Sequence, residues 1–200
     1  MRRQKDMPGD SCPIIYAMKG KQNLNVSQAT VVELWRNAEL IVPEIIDAIE
    51  PVDFFVSMPS SHQISYQLGQ LLSQISGKTH IADVFEKISI KTAKEQLDVI
   101  RADLSKDNFK KLEYRLKKME HLAGTDVIDF SLKDIPTEFR KHFTPIALSQ
   151  AYVGFSPETK HVCLVDDLLA SGTTLAKAKE LLLSSNAALR ISAACLFSPL

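Results

Sequence analysis

Cysteine is scarce: Cys12, Cys163 and Cys195 are the three in 200 residues, widely spaced, with no CxxC pair and no Cys/His ligand set. That excludes a disulfide framework and a zinc finger or ribbon, and it points to a reducing compartment. Long apolar runs are missing too, since no stretch approaches the roughly 20 residues of a membrane span. The basic opening, MRRQKDMPGD, leads into no apolar segment of the kind a secretory signal needs. A cytoplasmic protein with no membrane partner is therefore expected. No excess of charge exists, because 24 Lys and Arg balance 24 Asp and Glu, so no whole-molecule field draws in nucleic acid, and charged partners must be read locally. The seven glycines form neither G-x-x-x-x-G-K-[ST] nor G-x-G-x-x-G, which excludes a Walker loop and a dinucleotide fingerprint.

What is present suits a packed domain. The chain is 45% hydrophobic, enough for a substantial core, and it has no repeat, low-complexity tract or obvious linker. A single domain over 1–200 is the simplest parse, with an N-terminal strand and helices over 1–50 and a core over 51–200. Short apolar runs alternate with helical periodicity, the pattern of βα units and a mostly parallel sheet. DFFVSM (53–58), HVCLVDD (161–167) and RISAACLF (190–197) are near-continuous apolar runs, as buried parallel strands are. PIIYAM (13–18), HIADVF (80–85) and DVIDF (126–130) are weaker strand candidates.

Helices are expected between the strands. Ser27 suits the N-cap of a helix beginning SQATVVELW, and Pro43 should break or kink it near its middle. Ile64, Leu68, Leu71 and Ile75 recur at helical spacing, as do Leu175, Ala178 and Leu182 after Gly172. Residues 94–122 make one long helix or two short ones with the apolar stripe Phe109, Leu112, Leu116 and Met119. Between 106 and 118, Lys106, Lys110, Lys111, Arg115, Lys117 and Lys118 outnumber Asp107 and Glu113. A solvated face with Asp107/Lys111 and Glu113/Lys117 pairs is one reading; a basic lid, or a contact for an anionic ligand or a nucleic acid, is the other. The resulting expectation is an open, mostly parallel α/β sheet flanked by helices, with a helical elaboration at about 87–125.

DDLLASGTT (166–174) is the most informative stretch. An apolar strand runs into Asp166 and Asp167, placing both acids at the carboxyl end of a parallel strand, where open α/β sheets bind ligands. Adjacent carboxylates repel unless a cation or hydroxyl donors compensate them. Ala170, Ser171, Gly172, Thr173 and Thr174 are small, so their amides can wrap a phosphate, and the following helix adds its positive N-terminal end. Acids beside a phosphate cradle fit a ligand with hydroxyls at one end and a phosphate at the other, as in a ribose 5-phosphate group. Pro59, Ser60, Ser61 and His62 follow the 53–58 strand and form a second place where amides and hydroxyls meet phosphate oxygens.

CLVDDLLASGTTL (163–175) resembles the 5-phosphoribosyl-1-pyrophosphate-binding motif of type I phosphoribosyltransferases. The resemblance implies that Asp166 and Asp167 bind the ribose hydroxyls, that Ala170 to Thr174 hold the 5-phosphate, and that Pro59, Ser60, Ser61 and His62 contact pyrophosphate. The spacing of Pro59 and Gln67 and the KTAKEQ stretch (91–96) are similar to the ComF-type branch, with Gln63 and Ile64 where an Arg-Gly pair usually stands. Ala170 replaces the acid that the hypoxanthine-guanine branch places in this loop, so no general base and no catalytic residue is assigned. The implied function is Mg2+-dependent transfer of ribose 5-phosphate from 5-phosphoribosyl-1-pyrophosphate to an unidentified acceptor. No residue ligates the metal directly; Mg2+ is carried by the ligand near Asp166 and Asp167. Lys87, Lys91 and Lys94 are candidates for a flexible cover over the site. The alternative is a regulatory or effector module that binds this ligand or a nucleotide without turnover, acting with a protein or nucleic-acid partner through 94–122 or as a homo-oligomer.

Overall fold

The computed structural model describes residues 13–20, 23–49, 51–60, 62–124, 128–169 and 172–197. Four parallel strands form the main sheet in the order β2-β1-β5-β6: β1 (Phe54–Ser57), β2 (Thr79–Ile81), β5 (His161–Leu168) and β6 (Arg190–Phe197). The three strongest apolar runs thus supply three adjacent strands, with Phe55 beside Cys163 and Cys163 beside Ser192. Successive residues point to opposite faces, so Phe55, Cys163 and Val165 enter one apolar cluster, while Val56, Val162 and Leu164 enter another.

Helices cover both faces, as a parallel sheet requires. Helix α2 (Gln28–Ile49) and helix α3 (Ile64–Ser76) pack on the first cluster through Ala38, Val42, Ile46, Leu68 and Leu72. Ser27 caps α2, its Oγ accepting from the Thr30 N–H at 3.1 Å. Pro43 does not break this helix. It lies on the exposed face, where solvent reaches the carbonyl four residues earlier that its missing N–H leaves unpaired. Helix α6 (Thr173–Ser185) covers the second face with Leu175, Ala178 and Leu182. Burying a side chain of this size contributes about 1.5–3 kcal/mol, so the two clusters fix the sheet firmly between its helices.

Three weaker strand expectations resolve differently. PIIYAM forms a short helix, α1 (Pro13–Met18), rather than a strand. Proline is suited to a first helical position, and Ile15 buries itself from a helical turn without joining a sheet edge. HIADVF divides into β2 and a separate strand, β3 (Phe85–Lys87), which pairs antiparallel with β4 (Ile146–Leu148). In DVIDF, residues 126 and 127 lie outside the described residues, and Asp129 makes an isolated bridge with Ser89.

Between β3 and β4 lies the elaboration. Helix α4 (Ile90–Val99) and helix α5 (Lys106–Ala123) begin at Ser89 and Ser105, whose side chains accept from the N–H groups of Thr92 and Asn108. The region therefore folds as two helices. Their apolar stripes meet around Leu97, Leu112 and Leu116, and Phe130, Ile135 and Phe143 complete a third cluster, so the elaboration continues through 128–148. The Gln96 carboxamide clamps the Thr144 backbone through bonds of 2.9 and 3.1 Å. Among the described residues, no helix is long and apolar enough to cross a membrane.

Candidate functional site

The carboxyl ends of β1 and β5 open into a cleft of about 240 Å³ between the sheet and the elaboration. From the exits of β1 and β5 and the start of α6 it is lined by Met58, Pro59, Ser60, His62, Asp166, Asp167 and Thr174, and from β3 and the elaboration by Lys87, Lys133 and Arg140. Val162 to Val165 of β5 are buried between both helical layers, so the strand's carboxylates stand beyond them, at its exit.

Asp166 is half-buried and accepts from the Asp167 N–H at 2.8 Å and from Ser65 Oγ at 3.3 Å. Burial first, and then the neighbouring Asp167 carboxylate, raise its pKa to about 6. Two unit charges 4 Å apart repel by about 4 kcal/mol at an effective dielectric near 20, so a compensating cation is expected. It comes from Lys19, just after α1, whose ammonium pairs with Asp167. Both side chains are nearly sealed, at 8% and 10% exposure.

The stretch expected to cradle a phosphate begins beyond the strand. Gly172 has φ 68°, the left-handed conformation that glycine adopts without strain, and it opens α6. Thr173 and Thr174 occupy the first turn of that 13-residue helix, and Thr174 lines the cleft. Ala170 and Ser171 lie outside the described residues, as does Ser61. In the second loop, Ser60 Oγ accepts from the His62 N–H at 3.2 Å, and α3 opens two residues later than His62, at Ile64.

Of the three candidate cover lysines, Lys87 lines the cleft and pairs with Asp129 at 3.3 Å. Lys91 and Lys94 sit within α4, and Lys94 is tied to Glu120 of α5 at 2.6 Å. Within the basic stretch, Lys117 pairs with Glu113 at 2.8 Å, while Lys111 lies 5.9 Å from the centre of the Phe139 ring.

Lys19, Ser65, Lys133 and Arg140 were not picked out by sequence reasoning. Ser65 stands 101 residues from Asp166 in the chain, and MKGKQN around Lys19 has no pattern that marks one lysine over another. The described thiols are poor nucleophiles, since burial pushes Cys163 up to about 11 and Cys195 up to about 12. Among the described residues no three His, Cys, Asp or Glu side chains gather into a metal cage. Two carboxylates that could contribute to a cation held mainly by ligand oxygens are present in Asp166 and Asp167, the donor type Mg2+ prefers.

Chemically, the cleft offers acceptors for hydroxyl protons next to a helix N-terminus suited to phosphate, with cationic side chains in its lining. No curated protein and no solved structure matches the chain. A family model described as phosphoribosyl transferase domain matches residues 126–200, a stretch that includes β4, β5, α6 and β6. That match does not single out the ComF-type branch. The segment bearing Asp166, Asp167 and Thr174 is thus similar to a phosphoribosyl transferase domain, consistent with the type I phosphoribosyltransferase family.

Proposed function

We propose that the protein transfers the ribose 5-phosphate group of 5-phosphoribosyl-1-pyrophosphate to an acceptor, releasing pyrophosphate. The observation that carries this reading is the adjacency of Asp166 and Asp167 at the exit of β5 to the left-handed Gly172 turn and the start of α6. A sugar phosphate needs both parts at that spacing: carboxylates to accept from two hydroxyls, and backbone amides at a helix N-terminus to receive phosphate oxygens.

In the reaction, the bond from ribose C1 to the pyrophosphate oxygen breaks and a bond to the acceptor forms, with positive charge developing on the ring in between. Asp166 and Asp167 fix the ring by its hydroxyls and place negative charge beneath it. Thr174 and the first turn of α6 anchor the far end. Ser60 and His62 face the departing pyrophosphate, and Lys87 and Arg140 add cationic groups to the lining of the cleft. Mg2+, held near Asp166 and Asp167 through ligand oxygens, would neutralise charge on the leaving group. The elaboration closes one side of the cleft and limits the access of water to it.

The test is pyrophosphate release from 5-phosphoribosyl-1-pyrophosphate and Mg2+ across a panel of acceptors. Asp166→Asn with Asp167→Asn should lower release by at least about a hundredfold, because two charge-assisted hydrogen bonds to the ring are lost. Release that survives the double substitution sinks the reading. A second reading, a module that binds the ligand without turnover, is favoured by two features: His62 is the sole titratable side chain in the 58–62 stretch, and Ala170 stands where the resemblance to the hypoxanthine-guanine branch implies an acid. Calorimetric binding with no pyrophosphate from any acceptor would select it. The exposed lysines of α5, Lys106, Lys110, Lys111, Lys117 and Lys118, are then the surface for a protein or nucleic-acid partner.

A further inference from the structure

The cation at the acid pair belongs to the chain itself. Lys19 reaches Asp167 from outside the residues that match the phosphoribosyl transferase domain, so its role follows from geometry alone. Its side chain is 8% exposed, and a lysine is seldom buried so far without a specific partner. The segment that delivers it is anchored. Ile15 is 2% exposed, the Lys19 N–H donates to the Ile15 carbonyl at 3.0 Å, and Lys133 Nζ lies 5.5 Å from the centre of the Tyr16 ring. Lys19 also lines the cleft beside Asp166, Asp167 and Thr174, so it faces the space a ligand would take.

We propose that Lys19 is the resident counter-cation of the acid pair and a ligand-contacting residue, so that a phosphorylated sugar bearing a vicinal diol binds here without a divalent metal at the acids. The chemistry is complementary. Each sugar hydroxyl is both donor and acceptor, and the pair of groups offers both functions: carboxylate oxygens accept the hydroxyl protons, while ammonium N–H groups donate to the hydroxyl oxygens. Because the lysine already offsets one carboxylate, a neutral diol can bind without bringing a compensating charge. A metal carried on pyrophosphate would then serve the leaving group, and the acids would not depend on it. The inference rests on the sugar-phosphate reading of this cleft.

Ribose 5-phosphate is the probe, because it has the diol and the 5-phosphate and lacks pyrophosphate. Its affinity for the full chain is measured by calorimetry in EDTA and in magnesium chloride, for the wild type, Lys19→Met and Lys19→Arg, with inorganic phosphate as a diol-free control. The wild type should bind equally in both buffers. Lys19→Met should weaken binding in EDTA by about tenfold or more and recover part of the loss with Mg2+. Lys19→Arg should stay close to wild type, and phosphate affinity should not move. A purely structural role for Lys19 would leave no Mg2+-dependent difference between the variants. A wild type that binds only with Mg2+ overturns the proposal, as does tighter binding by Lys19→Met, the result if Lys19 merely blocks the cleft. If Lys19→Met fails to fold, the comparison of buffers on the wild type still decides. A wild type that binds neither ribose 5-phosphate nor 5-phosphoribosyl-1-pyrophosphate in either buffer removes the sugar-phosphate reading itself, an outcome distinct from failure of the Lys19 role.

Discussion

Asp166 is the residue at which ligand chemistry and stability oppose each other. Its pKa is raised from 3.8 to about 6, chiefly by burial and then by Asp167. Between those two pH values the folded protein holds a proton that the unfolded chain has released, so folding stability falls as pH rises through this window and levels off above it. At neutral pH the group is charged, as an acceptor for ligand hydroxyls must be, and the fold bears the cost. Asp166→Asn should therefore stabilise the protein at pH 7.5 by about 1–2 kcal/mol, less than the full shift implies because the carboxylate is partly hydrated. The gain should shrink toward pH 4.5. Urea midpoints of wild type and variant at the two pH values measure this, and a gain that grows on acidification would show that the charged form is the favoured one. The placement of Asp166 and Asp167 at a strand exit before a turn and a helix could be read locally, since strand, acids, turn and helix lie within one short stretch. Lys19 and Ser65 could not, because each reaches the acids through the tertiary fold, one from the N-terminal turn and the other from a different helix.

At the scale of elements, α3 sets the position of the site. It carries Ser65 against Asp166 and packs on β1 and β2 at Gly69. A Cβ at Gly69 would fall 2.8 Å from Ser57 Oγ and closer still to the His80 ring. Those two side chains are themselves linked: Ser57 Oγ donates to the Ser65 carbonyl at 3.0 Å and lies 2.7 Å from His80 Nε2. With its one proton committed to the carbonyl, the hydroxyl accepts from His80 N–H, which suits a neutral ring whose pKa burial has lowered. Gly69→Ala should cost about 1–3 kcal/mol, because the crowded atoms are held by hydrogen bonds on both sides. It should also weaken ribose 5-phosphate binding by displacing Ser65. A shift in urea midpoint with unchanged affinity would separate packing from positioning. The stripe Ile64, Leu68, Leu71 announces α3 in the sequence, and unbroken apolar runs announce β1, β5 and β6. Six apolar residues in PIIYAM do not distinguish a strand from a buried helical turn. The three-residue β4 is too short to leave a pattern, and it exists through pairing with β3.

For the whole molecule, the arrangement of apolar clusters predicts how the chain opens. Two clusters lie on the faces of the parallel sheet, while the third, around Leu97, Leu112, Leu116 and Phe143, belongs to the elaboration. The acid pair, Lys19, Ser65 and the start of α6 lie outside this third cluster, whereas Lys133 and Arg140 come from the chain segment that completes it. A wall with its own core can loosen while the sheet remains folded, since proteins open in cooperative units with different free energies. Leu116 is fully buried in that core, and Leu116→Ala should cost about 2–5 kcal/mol through lost transfer energy and the cavity left behind. Amide exchange will locate the cost. Faster exchange confined to α4 and α5, with β1 and β5 as protected as before, identifies the elaboration as a separate unit. In that case ribose 5-phosphate affinity should change little, since the proposed diol and phosphate contacts are on the sheet side, while any turnover should fall with the loss of an ordered wall. Equal acceleration in α5 and β5 would instead mean that wall and sheet unfold together, and that access to the cleft cannot be regulated by opening the elaboration alone.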